Sequence, residues 1–354
     1  MIARADLGLL ADDLTGACDL AAAFAPRMGP LVVTGADGGG DVLNTQSRAL
    51  PAVEARERLR EAGRRLAAKP VIFKKTDSTL RGPAGAELEG LLAGLGPRRV
   101  VVAPAIPRIG KTTRDGLLYE HGILLTQTAY AADPTSPRMS ASIADILAET
   151  GQVDCQIADA ETDEDLQRLV DETLAMKEPV LFAGSLGLAD ALARRLESGT
   201  GAATPPPPTR RIALISGSLY ERTERQIAKA VAGGAILQEI CAAGLQEIGN
   251  VPIILRLCGP SAPAFLEAVE KASCWVRIAG IDGLGIVGGE TAYHLFQRLG
   301  ATRLSVIGRM AEVISYGIML DGSLAGCPFT MKGGSVGPDD ALELMIQYLR
   351  SGKV

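Results

Sequence analysis

The 354-residue chain is 47% hydrophobic but only 4% aromatic, and 36 basic residues against 41 acidic ones give a formal net charge of -5. That length points to two domains rather than one core, and an interior of small aliphatic residues and glycine suits α/β layers. The mild acidic excess weighs against a nucleic-acid binder, and no apolar run is long enough to cross a bilayer as a helix.

A short apolar run, Leu7 to Ala11, reads as a buried strand ending on Asp12 and Asp13. Leu14, Thr15, Gly16 and an alanine-rich helical segment from Ala17 follow. Polar residues where a parallel strand gives way to a helix lie at the crevice where open α/β sheets bind ligands. Two adjacent aspartates repel anions, so a cation or a hydroxyl-bearing substrate is the natural guest. The plainer reading is an aspartate helix cap helped by Thr15. The segment GPLVVTGADG predicts a second strand and a turn. NTQSRAL then leads into a charged helix beginning near Val53. It places Arg48 in a strand-end loop, where a guanidinium can grip a carboxylate through two bonds.

Val71 to Phe73 enter the next strand, and Lys74, Lys75, Asp77, Ser78, Thr79 and Arg81 arrive at its end before Gly82 and a helix. Successive lysines on an extended segment point to opposite faces. One is expected to pair with an acid while the other reaches the crevice. Val100 to Ala103 predict a fourth strand, Pro104 and Pro107 fix its exit loop, and Lys111 to Asp115 form another polar cluster. The run GKTT fails the phosphate-loop pattern because residue 105 is Ala where that pattern needs Gly. A proline-marked loop over Asp133 to Pro137, a helix capped by Ser140, a short strand around Cys155 and a helix through Leu174 come next. Val180 to Ala183 read as a strand, and Gly184-Ser185-Leu186-Gly187 as a tight turn whose amides suit an anion.

Pro205 to Pro208 form a stiff, extended spacer. The expected organisation is a first domain over 1–203, a proline-rich linker over 204–209 and a second domain over 210–354. In the second domain RIALISGS runs into Ser216, Gly217 and Ser218 and then a helix. Strands near Ile240 and Ile254, a helix over 262–271 and the segment Val276 to Ile278 follow. Gly288 and Gly289 stand ahead of Glu290, Thr291 and a helix. That glycine-rich passage from strand to helix lets a backbone approach phosphate closely, at a helix end that favours negative charge. Lys332 precedes Gly333, Gly334 and Gly337, with an amphipathic helix behind. The fold class is therefore α/β, with two Rossmann-like three-layer domains, largely parallel sheets and a cleft between them.

Cys18, Cys155, Cys241, Cys258, Cys274 and Cys327 lack metal-site or disulfide spacing. They read as buried small hydrophobes in a reducing compartment. The opening MIARADLGLLADD has no export signal, so the expected location is cytoplasmic. His121 and His294 are the chain's two histidines, which gives little support to a histidine-based metal centre or a Ser-His-Asp site.

The first domain collects Asp, Lys, Arg, Thr and Ser at loop ends, a kit for a small, polyhydroxylated, anionic molecule. The second offers Gly/Ser-rich turns and one lysine, which suits a nucleoside triphosphate. A small acidic acceptor facing a nucleotide across an interdomain cleft is the layout expected for phosphoryl transfer. The segments LADDLTGACD, NTQSRAL, KKTDSTLRG, APAIPRIGKTTRDG and AGSLGLADALA, then ISGSLYERTERQI, GGETAYHL and MKGGSVG, occur in this order. With them the chain resembles the four-carbon acid sugar kinase family. The resemblance implies phosphorylation of threonate, erythronate or 3-oxo-tetronate by ATP with magnesium. It places substrate binding on Asp12, Asp13, Arg48, Lys75, Asp77 and Arg81. Nucleotide contacts fall on Ser216, Ser218, Gly288, Gly289, Glu290, Thr291, Gly333 and Gly334. Lys111, Glu290 and the Ser335-Val336 pair depart from the residues usual in that family.

Of the three carboxylates, Asp77 is expected as the general base ahead of Asp12, with Asp13 orienting substrate. No metal ligand is assigned. The expected partners are a small sugar acid and further copies of this chain, with neither nucleic acid nor membrane. The alternatives are a catalytically weakened binding protein of the same fold and a NAD-linked oxidoreductase. The latter is disfavoured because no G-x-G-x-x-G follows the first strand.

Overall fold

The computed structural model describes residues 1–132, 139–197, 206–240, 251–259 and 261–353. The predicted loop at Asp133 to Pro137, the domain boundary at 203, Pro205 and Cys241 lie outside the described residues. The chain divides into two units, Met1–Met28 with Thr34–Thr200, and Gly29–Val33 with Gly201–Val354. The segment 29–33, read from sequence as part of the first domain, groups with the second unit.

The elements up to residue 200 are β1 (Leu7–Ala11), α1 (Leu14–Met28), β2 (Leu31–Gly35), β3 (Val42–Asn44), α2 (Ala52–Leu66), β4 (Val71–Lys75), α3 (Ala84–Leu95) and β5 (Arg99–Ala103). Then come β6 (Lys111–Arg114), β7 (Leu117–Glu120), β8 (Ile123–Leu124), α4 (Ile143–Ala148), β9 (Gln156–Ile157), α5 (Asp163–Ala175), β10 (Val180–Gly184) and α6 (Leu186–Ala193). In the first unit β3-β1-β4-β10-β5-β9 form a parallel sheet in that order. β1, β4 and β10 are buried along their whole length, as parallel strands covered on both faces should be.

The layers follow from side-chain alternation. Leu10, Ile72 and Leu181 share a core with Leu59 of α2, Leu88 and Leu91 of α3 and Ile146 of α4. Phe73, one residue on from Ile72, points the other way and meets Phe24 of α1 edge-on at 6.3 Å. Ala-rich α1 lies on that second face with α6. Every polar group that follows β1, β3, β4 and β10 is thereby delivered to one edge of the sheet.

The polar cluster at Lys111 is a strand rather than a loop. β6, β7 and β8 make a small antiparallel sheet. The turn between β6 and β7 is Asp115-Gly116, with φ of 53° and 70°, the left-handed pair that a two-residue hairpin demands and that Asp-Gly supplies. The GKTT run thus opens a hairpin, and the strand-to-helix context of a phosphate loop is missing. Helix α4 is capped by Ser142, whose Oγ accepts from Asp145 N, and not by Ser140.

The second unit holds β11 (Ile212–Ser216), α7 (Glu221–Ala232), β12 (Ile236–Ile240), β13 (Ile253–Leu257), α8 (Ala262–Ile278) and β14 (Gly283–Val287). It continues with α9 (Gly289–Leu299), β15 (Arg303–Met310), β16 (Ile314–Met319), β17 (Pro328–Lys332) and α10 (Ala341–Ser351). β12-β13-β11-β14-β17 are parallel, and β16 and β15 extend the sheet antiparallel. Helices α7 and α10 share a core with Ile212, Leu214, Val287 and Ile314, while α8 packs on α9. Val276 to Ile278 are the last turn of α8, so the helix runs seven residues beyond the predicted end at 271.

Candidate functional site

In the first unit the charges converge on the ends of β1, β3 and β4. Asp13 caps α1: its Oδ1 accepts from Gly16 N at 2.7 Å, and the helix starts at Leu14 rather than Ala17. Asp12 and Asp13 do not wait for an external cation. Arg48 donates from Nε and Nη2 to the two oxygens of Asp12, at 3.0 and 2.8 Å, and from Nη1 to Asp13. Backbone bonds set this up, because Ser47 N and Arg48 N both donate to the Asp12 carbonyl, at 2.9 and 3.2 Å. Burial alone would raise the Asp12 carboxyl, but the charges of Arg48, Lys74 and Lys75 outweigh it and hold Asp12 below its ordinary value.

The two lysines of β4 divide as their alternation predicts. Lys74 points toward α3 and pairs with Glu87 at 2.7 Å, with the two side chains 0% and 1% exposed. Ser47 Oγ donates to the other oxygen of Glu87 and is itself bonded to Thr45 Oγ1. Lys75 lies on the α1 side, where a Cβ on Gly16 would meet its Cγ at 3.4 Å, and its Nζ donates to the Thr76 carbonyl at 2.8 Å.

Asp77 is bound from several sides. Its Oδ2 accepts from Thr79 N at 2.9 Å, from Thr79 Oγ1 and from Arg81 N, and its Oδ1 accepts from Arg81 Nη2 at 2.7 Å. Burial pushes the carboxyl up, yet Arg81 and Arg48 hold it well below the usual carboxylate range. Leu80 adopts a left-handed backbone, φ 55°, inside this loop, the kind of strain that surrounding bonds must hold in place. Gly82, φ 85°, brings the loop onto the arginine: a Cβ there would sit 2.6 Å from the Arg48 carbonyl. Arg48 thus bonds Asp12 and Asp13, Arg81 bonds Asp77, and charge couples Lys75 to Asp12 and Asp77 to Arg48. Lys111 donates to Ser78 Oγ at 2.9 Å and to Tyr130 OH at 3.1 Å.

In the second unit Ser216, Val287 and Lys332 end three neighbouring strands in register. Ser218 Oγ bonds Thr223 Oγ1 at 2.7 Å, which in turn donates to the Gly334 carbonyl at 2.8 Å. A Cβ on Gly334 would lie 2.4 Å from Ser218 Oγ, so a larger residue there would displace Ser218 from Thr223. Gly288, φ 107°, begins the turn into α9 and places Thr291, which is buried. Glu290 is the exception among the predicted residues here. Its side chain is 57% exposed and lies 3.5 Å from His294 on the same helix.

The segment over residues 7–156 matches the model of a sugar-binding N-terminal domain, and residues 264–342 match that of a nucleotide-binding C-terminal domain. A D-threonate kinase of Cupriavidus necator is 30% identical over 331 residues, covering 80% of this chain and 75% of that one. The chain belongs to the four-carbon acid sugar kinase family. Another family member, a D-threonate kinase of Bordetella bronchiseptica, is 29% identical with 97% of both chains covered. A 3-oxo-tetronate kinase of Methylobacterium radiotolerans is 28% identical over 84% of this chain and 88% of its own. The fold of the kinase recurs in a solved Salmonella typhimurium protein described as a putative tRNA synthase. That structure superposes with a TM-score of 0.74 at 20% identity, covering 96% of this chain and 98% of the other.

Several residues of this family member were not singled out from the sequence. Glu87 is a typical helix residue to the eye, and nothing in its spacing reveals the Lys74 pair. Thr223 and Gln226 hold the 334–338 turn from α7, again across more than a hundred residues of chain. Among the described residues no group of three or more His, Cys, Asp or Glu could cage a metal ion, and no helix is long and apolar enough to cross a membrane. Cys18, Cys155, Cys258, Cys274 and Cys327 are free thiols; Cys18 and Cys327 are buried, whereas the other three are half-buried rather than buried as expected.

Proposed function

We propose that this chain transfers the γ-phosphoryl group of ATP to a hydroxyl of a four-carbon sugar acid of the threonate or 3-oxo-tetronate type. The reading rests on one observation: Asp12, Asp13, Arg48, Lys75, Asp77 and Arg81 converge within the span that matches a sugar-binding domain. Named relatives that phosphorylate such acids support the substrate class. Ser216, Ser218, Gly288, Gly289, Thr291, Gly333 and Gly334 form the proposed nucleotide contacts. Glu290, exposed and turned to His294, is given only a peripheral part among them.

In the transfer, the acceptor oxygen forms a bond to the γ-phosphorus as the bond to the β–γ bridging oxygen breaks and ADP departs. The hydroxyl proton needs an acceptor. Asp77, held well below the usual carboxylate range by Arg81 and Arg48, is a weak base and is assigned instead to hold Arg81. Asp13 is the proposed acceptor, with Asp12 and Arg48 setting its position. Arg81 and Lys75 are the proposed cations for the substrate carboxylate. Magnesium fits as a companion of the nucleotide phosphates, since that ion needs few protein carboxylates and the described residues offer no cage of their own.

The test is ADP release, measured by a coupled assay with ATP and a panel of D-threonate, L-threonate, D-erythronate and 3-oxo-tetronate. Turnover of at least one acid is expected. Absence of turnover with every one overturns the reading, and a ligand-induced rise in Tm without ADP formation would instead mark a binding protein.

A further inference from the structure

Lys332 is buried to 0% exposure, and its Nζ has no hydrogen-bond partner among the described residues. It ends β17, in register with Val287 of β14 and Ile314 of β16, both members of the apolar core that α7 and α10 cover. The glycine turn that follows it is tied down from α7. Gln226 donates to the carbonyls of Val336, Gly337 and Pro338, and Arg222 donates to that of Gly337 at 3.2 Å. A Cβ on Gly337 would lie 3.3 Å from Lys332 Cε, so the far end of the lysine sits beneath this turn. Across Val287, at the end of β11, Ser216 Oγ is likewise buried and unpartnered.

A buried ammonium without a counter-charge is costly. Burial first, and the positive charge of Arg222 second, lower the Lys332 value from 10.5 to about 7. Of the titratable groups on the elements packed here, Tyr316 of β16 and Tyr348 of α10 are raised by burial and so neutral, and Lys229 of α7 lies 3.9 Å from Glu343 of α10. Asp339, in the turn itself, is engaged by Arg225. The arrangement suits an oxyanion: two donors without a partner among the described residues flank one strand end, beside a glycine turn.

We propose that Lys332 receives the phosphate chain of the nucleotide under the Gly333–Gly337 turn and takes up a proton as the nucleotide binds. The proposal rests on the nucleotide site of the reading above, but it is tested on nucleotide binding alone. Failure to phosphorylate any sugar acid therefore leaves it standing.

Calorimetric titration of the whole chain with ADP and with a non-hydrolysable ATP analogue, at pH 8 in two buffers of different ionisation enthalpy, reads the proton directly. At that pH a lysine of value about 7 is about nine-tenths neutral, so binding should take up close to one proton. Lys332→Met, which keeps the volume and removes the charge, should weaken nucleotide binding at least about tenfold and abolish the uptake. It should leave the Tm of the unliganded protein equal or higher, because a lysine awaiting a ligand does not support the empty fold. Nucleotide binding by the unaltered chain without proton uptake overturns the proposal. So does Lys332→Met binding as tightly as the parent, or losing Tm while uptake persists.

Discussion

The two units treat charge in opposite ways. At the strand ends of the first, buried charges answer one another: Asp12 and Asp13 share Arg48, Asp77 holds Arg81, and Lys74 holds Glu87. At the strand ends of the second, Ser216 Oγ and Lys332 Nζ are buried with nothing to bond. The first arrangement is rigid before any ligand arrives and can present hydroxyl-binding oxygens at set positions. The second leaves two buried donors unbonded, which is costly, and on the proposal above a phosphate chain is what bonds them. The contrast teaches that a site's charges alone do not define its guest; what matters is which of them the fold has already neutralised.

The sharpest way to break the comparison is Arg48→Met. It strips the shared cation from two adjacent buried carboxylates, and leaving such charges uncompensated costs about 3–5 kcal/mol. Urea unfolding should show that loss, and combining the change with Asp12→Asn should recover part of it.

Asp13→Asn comes next. Asparagine caps a helix as well as aspartate does and Arg48 keeps two bonds to Asp12, so the stability loss should be smaller than for Arg48→Met while kcat falls about 10²-fold or more. Asp77→Asn should act differently, raising the KM for the acid more than it lowers kcat, because it loosens Arg81. If Asp77→Asn gives the larger kcat loss, the two roles are exchanged.

A third effect is in the pH dependence of stability. Between about 7 and 10.5 the unfolded chain holds a proton on Lys332 that the folded chain lacks, so stability rises with pH across that window. Lys332→Met should flatten the rise in a series of denaturant titrations. At the acid end the sign is carried by the first unit. Asp12 and Asp77 have folded values below the ordinary 3.8. Their contribution is present above about 3.8 and is lost as pH falls through the folded values.

The smallest effect is expected of Glu290→Gln. Its pair with His294 is exposed, and removal should change stability by less than about 0.5 kcal/mol. A large loss of nucleotide affinity would restore Glu290 to the centre of the site.

Apolar runs such as Leu7 to Ala11 and Val180 to Ala183, each followed by polar residues and a helix, were legible as buried strands, the second extending one residue further to Gly184. Chain direction then put Asp12, Lys75 and Ser185 at one edge of a sheet, and Ser216, Gly288 and Lys332 at one edge of another. The opposite fates of Lys74 and Lys75 also followed from alternation along a strand. The hairpin at Lys111 was missed, although Asp115-Gly116 is a hairpin signal, because its polar composition has the look of a loop. The end of α8 was missed because Val276-Arg277-Ile278 suits a strand as well as a helix until α9 packs beside it.

By itself the sequence determined the strand-to-helix repeat and the set of residues that gather at strand ends, because those depend only on local periodicity and the direction of the chain. Tertiary structure alone decided who neutralises whom. Arg48 reaches Asp12 across 36 residues and Gln226 reaches Pro338 across 112. Among the described residues no carboxylate bonds Lys332 under its turn. Such pairings depend on strand register and helix packing to within the length of a hydrogen bond, and no spacing within a linear sequence encodes a distance that short.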